Sequence, residues 1–228
     1  MGKFESNVSL TDILIKQERY ITHVMYRFFF DSMEKTTKPI ILASRSPRRI
    51  HLLHQIGIPF TVQESGVDEH IPDGIAPEEA VRRLALEKAV KVAARLREGI
   101  VIGADTIVVL DTMILGKPAS KDEAAAMLTM LGGRTHTVFT GFALVDVQSQ
   151  KTFIDYERTE VTFRQLGKME IESYVDSGSP MDKAGAYGIQ DDYGAFFVEK
   201  INGCFYTVVG FPLSKFYTAW NLFLEQLK

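Results

Sequence analysis

A short stretch of small hydroxyl and guanidinium side chains offers the first chemistry in this chain. Residues 44–49 read Ser-Arg-Ser-Pro-Arg-Arg and directly follow the apolar residues 40–43. Ser46 fits a helix N-cap and Pro47 the first helical position, so a helix is predicted to begin there. Backbone N–H groups and cationic side chains at a helix N-terminus suit a polyphosphate. The alternative is a solvated, charged helix start.

A carboxylate interrupts an apolar run later in the chain. Asp105, followed by Thr106, separates residues 100–104 from residues 107–110. A buried carboxylate needs a hydrogen-bond partner, a cation or a shifted pKa. We therefore interpret Asp105, at the end of a strand, as a base or metal ligand at least as readily as a structural residue. A hairpin turning at residues 111–112 would return Lys117 towards it.

Two further charged residues leave alternatives open. Glu69 follows Asp68 on a glycine-containing loop, where paired acids are either solvated or bind a metal. Lys88 lies at the border of the apolar face of a helix predicted from Pro77 to about Arg97. A border lysine usually extends outward, and the alternative is that it reaches into a cleft.

A loop rich in small residues could contact a ligand. Residues 182–190 combine charged groups, glycines, a tyrosine and Gln190, which can hydrogen-bond the edge of a base. The loop could also be no more than a turn. His136 and Cys204 have no catalytic partner in the pattern and are interpreted as structural.

The elements that must position these groups alternate between strand and helix, so we predict an α/β fold. It has a mixed twisted sheet with flanking helices, in two lobes around a cleft. Strands are predicted at residues 40–43, 60–62, 100–104, 107–110, 113–115, 135–147, 152–163, 196–201 and 205–209, before a last helix that contains Leu213.

Composition narrows the class of ligand and the compartment. The 228 residues carry a net charge of -3, which argues against broad binding to nucleic acid or anionic membranes. The single cysteine excludes an internal disulfide, and no apolar run is long enough to span a bilayer. We expect a cytoplasmic protein with a small ligand, compatible with a homodimer.

The first 38 residues precede the first core strand and carry no recognisable chemistry. They could form a docked helical extension or a partner-binding arm, or result from translation upstream of a true start at Met33. We therefore divide the chain into an extension, residues 1–38, and a domain that carries the candidate site residues, residues 39–228.

Five motifs in order resemble the Maf family of nucleoside triphosphate pyrophosphatases over about residues 39–225. They are residues 42–49, 103–106, 117–118, 182–190 and 209–213. The resemblance implies a mixed α/β fold with a deep cleft. It also implies hydrolysis of a nucleoside triphosphate to monophosphate and pyrophosphate with a divalent metal, Mg²⁺ or Mn²⁺. The ending at residues 188–190 resembles the subgroup that prefers dTTP and UTP.

The resemblance also assigns roles to individual residues. It implies that Asp105 is the proton acceptor. Substrate choice is implied for Arg48, Thr106 and Gln190, and further charged cleft positions for Glu69, Lys88 and Lys117. Arg45 departs from the small residue that the family often has there.

These assignments lead to a mechanistic hypothesis. Phosphates bind to Ser44, Ser46, Arg48 and Arg49. A metal bridges them to Glu69 and Asp105, and Asp105 orients or deprotonates the water that attacks the α-phosphorus. One alternative is a non-catalytic nucleotide sensor that acts through a partner in cell division. Another is an enzyme of the same family that prefers purine or modified nucleotides.

Overall fold

Seven strands lie in the part of the chain that the computed structural model describes, residues 36–72, 74–190 and 193–228. They are β1 (Ile40–Leu42), β2 (Thr61–Val62), β3 (Ile100–Leu110), β4 (Met113–Leu115), β5 (Thr135–Asp146), β6 (Thr152–Phe163) and β7 (Val198–Asn202). They form one sheet in the order β2-β1-β3-β5-β6-β7, with β4 paired to β3. Pairs of β1 are parallel and the remaining pairs are antiparallel, which confirms the mixed sheet.

Helices cover both faces of this sheet, as the α/β prediction requires. The helices of the described ranges are α1 (Pro47–Gln55), α2 (Pro77–Ala93), α3 (Lys121–Leu131), α4 (Lys168–Asp176), α5 (Phe205–Val209) and α6 (Leu213–Gln226). Short 3-10 turns follow α4 at Ser179–Asp182 and Ala184–Ala186, and another precedes β7 at Gly194–Phe197.

Alternate residues of β3 contribute to separate cores on the two faces. Ile102 and Val108 belong to a large core that includes α1, α3 and the aromatic stripe of α6. Val101 and Ile107 belong to smaller clusters built against α2. Because successive side chains of a strand point to opposite faces, neighbouring polar residues in β3 must also serve different faces.

Two glycines let α2 lie directly on the sheet. A Cβ added at Gly103 of β3 would be 2.1 Å from the Ala85 carbonyl oxygen, and one at Gly141 of β5 would be 2.4 Å from that of Val81. Any side chain at these positions would push the helix away. The close approach brings the middle of α2, which carries Lys88, over the centre of β3.

The strand β3 continues through Asp105 without a break. The expectation of a strand end at this residue is wrong: residues 100–110 form one strand, in which Asp105 pairs with Gly141 and Thr106 with Thr140 of β5. The carboxylate does not interrupt the strand because a buried cation from α2 compensates its charge. Asp105 therefore lies on the α2 face and Thr106 on the opposite face.

One predicted element type and one predicted helix boundary are wrong. Residues 205–209 form helix α5 and not a strand, since a short apolar run does not distinguish a buried strand from a buried helix. Helix α2 ends at Ala93, four residues before Arg97, where the chain turns to enter β3. The hairpin predicted at residues 111–112 is confirmed, and β5 and β6 form a second antiparallel hairpin.

The start of the described chain is tied to the sheet by an ion pair. Lys38 Nζ donates to Asp146 Oδ1 at 2.6 Å, and the Asp146 side chain is fully buried. The three interpretations of the N-terminal extension concern residues that lie, up to residue 35, outside the described ranges. Among the described residues, no helix has the length and apolar character needed to cross a bilayer.

Candidate active site

A cleft of about 390 Å³ opens beside the end of β1 and the middle of β3. Its walls come from the start of α1, the loop before α2, the β4–α3 connection, the 3-10 turns and the end of α5. The lining includes Ser44, Arg45, Ser46, Arg48, Arg49, Glu64, Glu69, Lys88, Asp105, Thr106, Val108, Lys117, Val138, Asp182, Lys183, Ala184, Tyr187, Val208, Val209 and Gly210. Nine of the ten predicted site residues lie in this wall.

The corner at the start of α1 has the predicted geometry with one difference. Pro47 is the first helical residue and Ser46 is the N-cap, but the Ser46 side chain makes no capping hydrogen bond in the described structure. Its backbone N–H instead donates to Ser44 Oγ at 3.2 Å. This turn holds both serines at the cleft wall.

The two arginines of α1 have different partners. Arg49 is buried and donates to the Gly210 carbonyl oxygen at 2.9 Å, to Ser44 Oγ at 3.3 Å and to Thr106 Oγ1 at 3.0 Å. Arg48 is partly exposed, and its guanidinium contacts Asp182 through both the carboxylate, at 2.8 Å, and the carbonyl oxygen, at 3.1 Å. Arg49 therefore fixes the wall, while Arg48 joins α1 to the 3-10 turns across the cleft.

Burial and neighbouring charges act on Arg49 in opposite directions. Burial lowers the pKa of Arg49 below its ordinary value, and the negative charge of Asp105 opposes that effect. An arginine nevertheless stays protonated in proteins. The buried guanidinium therefore adds a fixed positive charge to the α1 side of the cleft.

On the α2 face, Lys88 lies between two carboxylates. Its Nζ is 2.5 Å from Asp105 Oδ1 and 2.6 Å from Glu69 Oε1, and its side chain is only 6% exposed. The usual outward orientation of a border lysine is therefore wrong here, and the cleft alternative is confirmed. The compact arrangement of α2 on Gly103 and Gly141 makes this reach possible.

Lys117 completes the cluster, but it pairs with Glu69 and not with Asp105. Its Nζ is 2.8 Å from Glu69 Oε2, so the β3–β4 hairpin returns it to the cleft as predicted, but Lys88 and not Lys117 is the ion-pair partner of Asp105. Burial raises the pKa of Glu69, but Lys88 and Lys117 outweigh it and lower that pKa to about 2. Glu69 is therefore ionised over the whole physiological range.

The predicted specificity residues do not lie together. Thr106 and Arg48 line the cleft on the face opposite Asp105, whereas Gln190 is exposed and is absent from the cleft wall. The implied role of Gln190 in base choice stays a prediction.

The loop at residues 182–190 contributes more than Gln190. Asp182 holds Arg48, and Lys183, which is buried, donates to the other oxygen of the same carboxylate at 2.7 Å. Burial raises the pKa of Asp182, while Lys183 and Arg48 outweigh that effect and lower it. The sequence indicates a ligand-contacting loop here but assigns no role to Asp182 or Lys183. Two adjacent opposite charges close to a glycine are the pattern that could have indicated their ion pair.

Tyr187 forms part of the cleft wall and rests on His136. The Tyr187 hydroxyl and His136 Nε2 are 2.8 Å apart, and burial lowers the pKa of His136 to about 4. Burial also raises the pKa of Tyr187 above its ordinary value. The interpretation of His136 as a structural residue fits this neutral pair.

At the mouth of the cleft, Arg45 pairs with Glu64 at 2.6 Å, and both side chains are well exposed. Arg45, which departs from the family pattern, thus adds a positive charge at the entrance of the cleft and makes this ion pair outside the buried wall.

The carboxylates suit a divalent cation in chemical type. Asp105 and Glu69 both contact the same Lys88 ammonium, so their oxygens lie close together in the cleft. Among the described residues there is no group of three His, Cys, Asp or Glu side chains that could hold a metal alone. Mg²⁺ commonly uses one or two carboxylates together with substrate phosphates and water. The donor set fits an ion that arrives with a polyphosphate.

Comparison with known proteins agrees with this chemistry. The family model described as "Maf-like protein" matches residues 39–222. A "dTTP/UTP pyrophosphatase" from Desulforamulus reducens is 47% identical over 186 residues, covering 82% of this chain and 97% of that protein. A protein of the same name from Pelotomaculum thermopropionicum is 49% identical over 178 residues, covering 78% and 93%.

A solved structure shows a weaker likeness. The Ham1 protein of Staphylococcus aureus aligns with a TM-score of 0.45 and 15% identity, over 84% of this chain and all of that one.

Proposed function

The chain belongs to the Maf-like protein family, and on that premise we propose that it is a nucleoside triphosphate pyrophosphatase acting on dTTP and UTP. The observation that carries the proposal is the Lys88 ammonium held within 2.6 Å of both Asp105 and Glu69, in the same cleft as the arginine-rich start of α1. The names of relatives that are 47% and 49% identical over most of their length support the reaction and the substrates.

In the proposed reaction, water attacks the α-phosphorus and the bond from that phosphorus to the bridging oxygen breaks. The products are the nucleoside monophosphate and pyrophosphate. Asp105 accepts the proton of the attacking water, and Lys88 holds its carboxylate in place through the 2.5 Å contact with Oδ1. An acid within a cluster of cations can act as a base only if it keeps a lone pair free, and Asp105 has a second carboxylate oxygen for that purpose.

The phosphate chain is proposed to lie along the α1 wall. Ser44 and Ser46 present hydroxyl groups there, and Arg49 supplies a fixed positive charge. Arg48, Lys88 and Lys117 compensate the charge that develops on the departing pyrophosphate.

A divalent cation, Mg²⁺ or Mn²⁺, is proposed to bind through Glu69 and Asp105. When bound, it would neutralise phosphate charge and activate the phosphorus towards attack. Lys88 and Lys117 lower the pKa of Glu69 to about 2, which keeps its carboxylate ionised and ready as a ligand.

The test is a nucleotide panel assayed with Mg²⁺ and with Mn²⁺, in which monophosphate, pyrophosphate and orthophosphate are measured separately. We expect dTTP and UTP to give monophosphate and pyrophosphate in equal amounts. Release of orthophosphate with a diphosphate product would reject the cleavage position, and binding without turnover would favour the sensor alternative. A preference for GTP or ATP would reject the substrate class.

We also propose that the protein acts in the cytoplasm on free nucleotides. The net charge of -3 and the single cysteine support this setting.

A further inference from the structure

A chain of hydroxyl groups crosses the floor of the cleft on the face opposite Asp105. Thr106 of β3 and Thr140 of β5 are direct partners in the sheet, with their Oγ1 atoms 2.9 Å apart. Thr140 is completely buried, and its Oγ1 donates to the Thr207 carbonyl oxygen of α5 at 2.7 Å. At the other end, Arg49 Nη2 donates to Thr106 Oγ1 at 3.0 Å.

The direction of every hydrogen bond in this chain is determined. A threonine hydroxyl has one hydrogen and two acceptor positions. The hydrogen of Thr140 is used by the Thr207 carbonyl, which can only accept, so Thr106 must donate to Thr140. Arg49 can only donate, so Thr106 accepts from it. Thr106 is left with one acceptor position and no hydrogen to offer.

The remaining acceptor position belongs to Thr106, a residue of the cleft wall that has both the Arg49 guanidinium and apolar side chains as neighbours. Val108, Val138 and Tyr187 line the same side of the cleft as Thr106. Gly210, at φ +120°, leaves room beside the hydroxyl, because a Cβ there would lie only 3.4 Å from Thr106 Oγ1. A hydrogen-bond acceptor next to apolar side chains can take the edge of a flat ring that presents an N–H group.

We propose that Thr140 is a positioning residue that makes Thr106 an acceptor, and that this favours a base with a ring N–H over one with a bare ring nitrogen. The inference rests on the proposed function and refines its substrate class. Uracil and thymine carry a hydrogen on N3 and can donate it to Thr106. Cytosine has a lone pair at N3, which would face the lone pair of Thr106 without a hydrogen between them.

The test compares kcat/KM for UTP and CTP in the native protein and two variants. Thr140→Val keeps the shape of the side chain but removes the acceptor, so the Thr106 hydrogen is released to the cleft and can reach cytosine. We expect the native protein to prefer UTP. An unpaired polar contact costs about 1–3 kcal/mol, so the preference should fall about tenfold in Thr140→Val. Thr140→Ser restores the hydroxyl and should restore the native ratio.

A second variant keeps the inference testable if Thr140→Val does not fold. Thr106→Val leaves the Thr140–Thr207 bond intact and removes the acceptor itself, so it must also lose the preference for UTP. Thermal unfolding of each variant shows whether it is folded, and the ratio of the two substrates is insensitive to a uniform loss of active protein.

Three results would overturn the inference: a native protein that hydrolyses UTP and CTP equally, a folded Thr140→Val protein with the native ratio, or a Thr106→Val protein with the native ratio. In each of these cases the proposed pyrophosphatase activity still stands. Hydrolysis of neither nucleotide would instead reject the proposed function.

Discussion

The two faces of β3 build the cleft by different physical means. On the α2 face, Asp105, Glu69, Lys88 and Lys117 form a cluster of alternating charges held by contacts of 2.5–2.8 Å. On the opposite face, Thr106 is held by Arg49 and Thr140, with Val108 and Val138 nearby in the cleft wall. The first arrangement places a carboxylate among cations, and the second leaves a hydroxyl oxygen with a fixed hydrogen-bond direction. The difference separates the proposed proton acceptor, Asp105, from the proposed base contact, Thr106, within one short segment of strand.

The largest effect should come from removing the proton acceptor of the charged face. Asp105→Asn keeps the shape of the side chain, and loss of a general base lowers rates by about 10²–10⁴-fold, so we expect kcat for UTP to fall in that range. The measurement is the rate of pyrophosphate release. Thr106→Ser is the matched control on the other face and should keep most turnover. Near-native activity of Asp105→Asn would remove Asp105 from the proposed role.

Breaking the ion-pair cluster should destabilise the fold. Lys88→Met leaves Asp105 buried without its cation, and removal of one partner from a buried pair typically costs about 3–5 kcal/mol. Urea unfolding at pH 7 measures this loss. Lys117→Met is the control, because its side chain is 54% exposed and exposed pairs contribute about 0–1 kcal/mol. Equal losses in the two variants would contradict the difference in burial.

Between pH 7 and pH 4.5, the face of β3 that carries Thr106 should be the more acid-sensitive one, because His136 lies behind it. The pKa of His136 is lowered to about 4 in the folded protein from an ordinary 6.5, so below pH 6.5 the unfolded chain binds a proton that the folded chain does not. The free energy of unfolding therefore keeps its full value, as far as His136 is concerned, above pH 6.5 and decreases as the pH falls towards 4. Integrated from pH 7 to pH 4.5, this decrease amounts to about 2 kcal/mol.

His136→Gln isolates this effect. The variant loses the titrating group, so its free energy of unfolding should change less between pH 7 and pH 4.5 than that of the native protein. His51, an exposed histidine of α1, provides the control as His51→Gln, which should keep the native pH dependence. An unchanged slope in His136→Gln would assign the acid sensitivity to another group.

The smallest effect is expected at the mouth of the cleft. Arg45 and Glu64 are both exposed, so Arg45→Ala should change the free energy of unfolding by less than about 1 kcal/mol. A surface charge near a polyanion site should instead affect KM, and the difference in KM from the native protein should shrink at high salt. An unchanged KM in Arg45→Ala would show that Arg45 has no role in substrate binding. Glu64→Gln removes the acid of the same pair, and its KM and free energy of unfolding can be compared with those of Arg45→Ala.

The residues of the charged face were predictable from sequence because burial of charge is visible in a pattern. Asp105 inside an apolar run required a partner, whereas Lys88 at the border of an apolar helix face was expected to extend outward unless it reached into a cleft. The structure makes Lys88 the partner of Asp105. Their pairing was not predictable, since it depends on Gly103 and Gly141, which let α2 approach β3 and β5.

The residues that hold Thr106 in place were harder to predict from the sequence. Thr140 and Thr207 are ordinary residues of apolar segments, and only the register of β3 with β5 shows that Thr140 lies opposite Thr106. The segment at residues 205–209 was predicted as a strand, so the Thr207 carbonyl could not be placed. Hydrogen-bond chains formed by residues distant in sequence leave no local pattern.

The unbroken course of β3 has a consequence for how a substrate can lie in the cleft. Asp105 and Thr106 are joined by one peptide bond, so their Cα atoms are about 3.8 Å apart and their spacing along the strand cannot adjust to the ligand. Their side chains leave the strand on opposite faces. With the roles proposed above, a nucleotide must therefore extend from one face of β3 to the other, with its base at Thr106 and its α-phosphorus at Asp105.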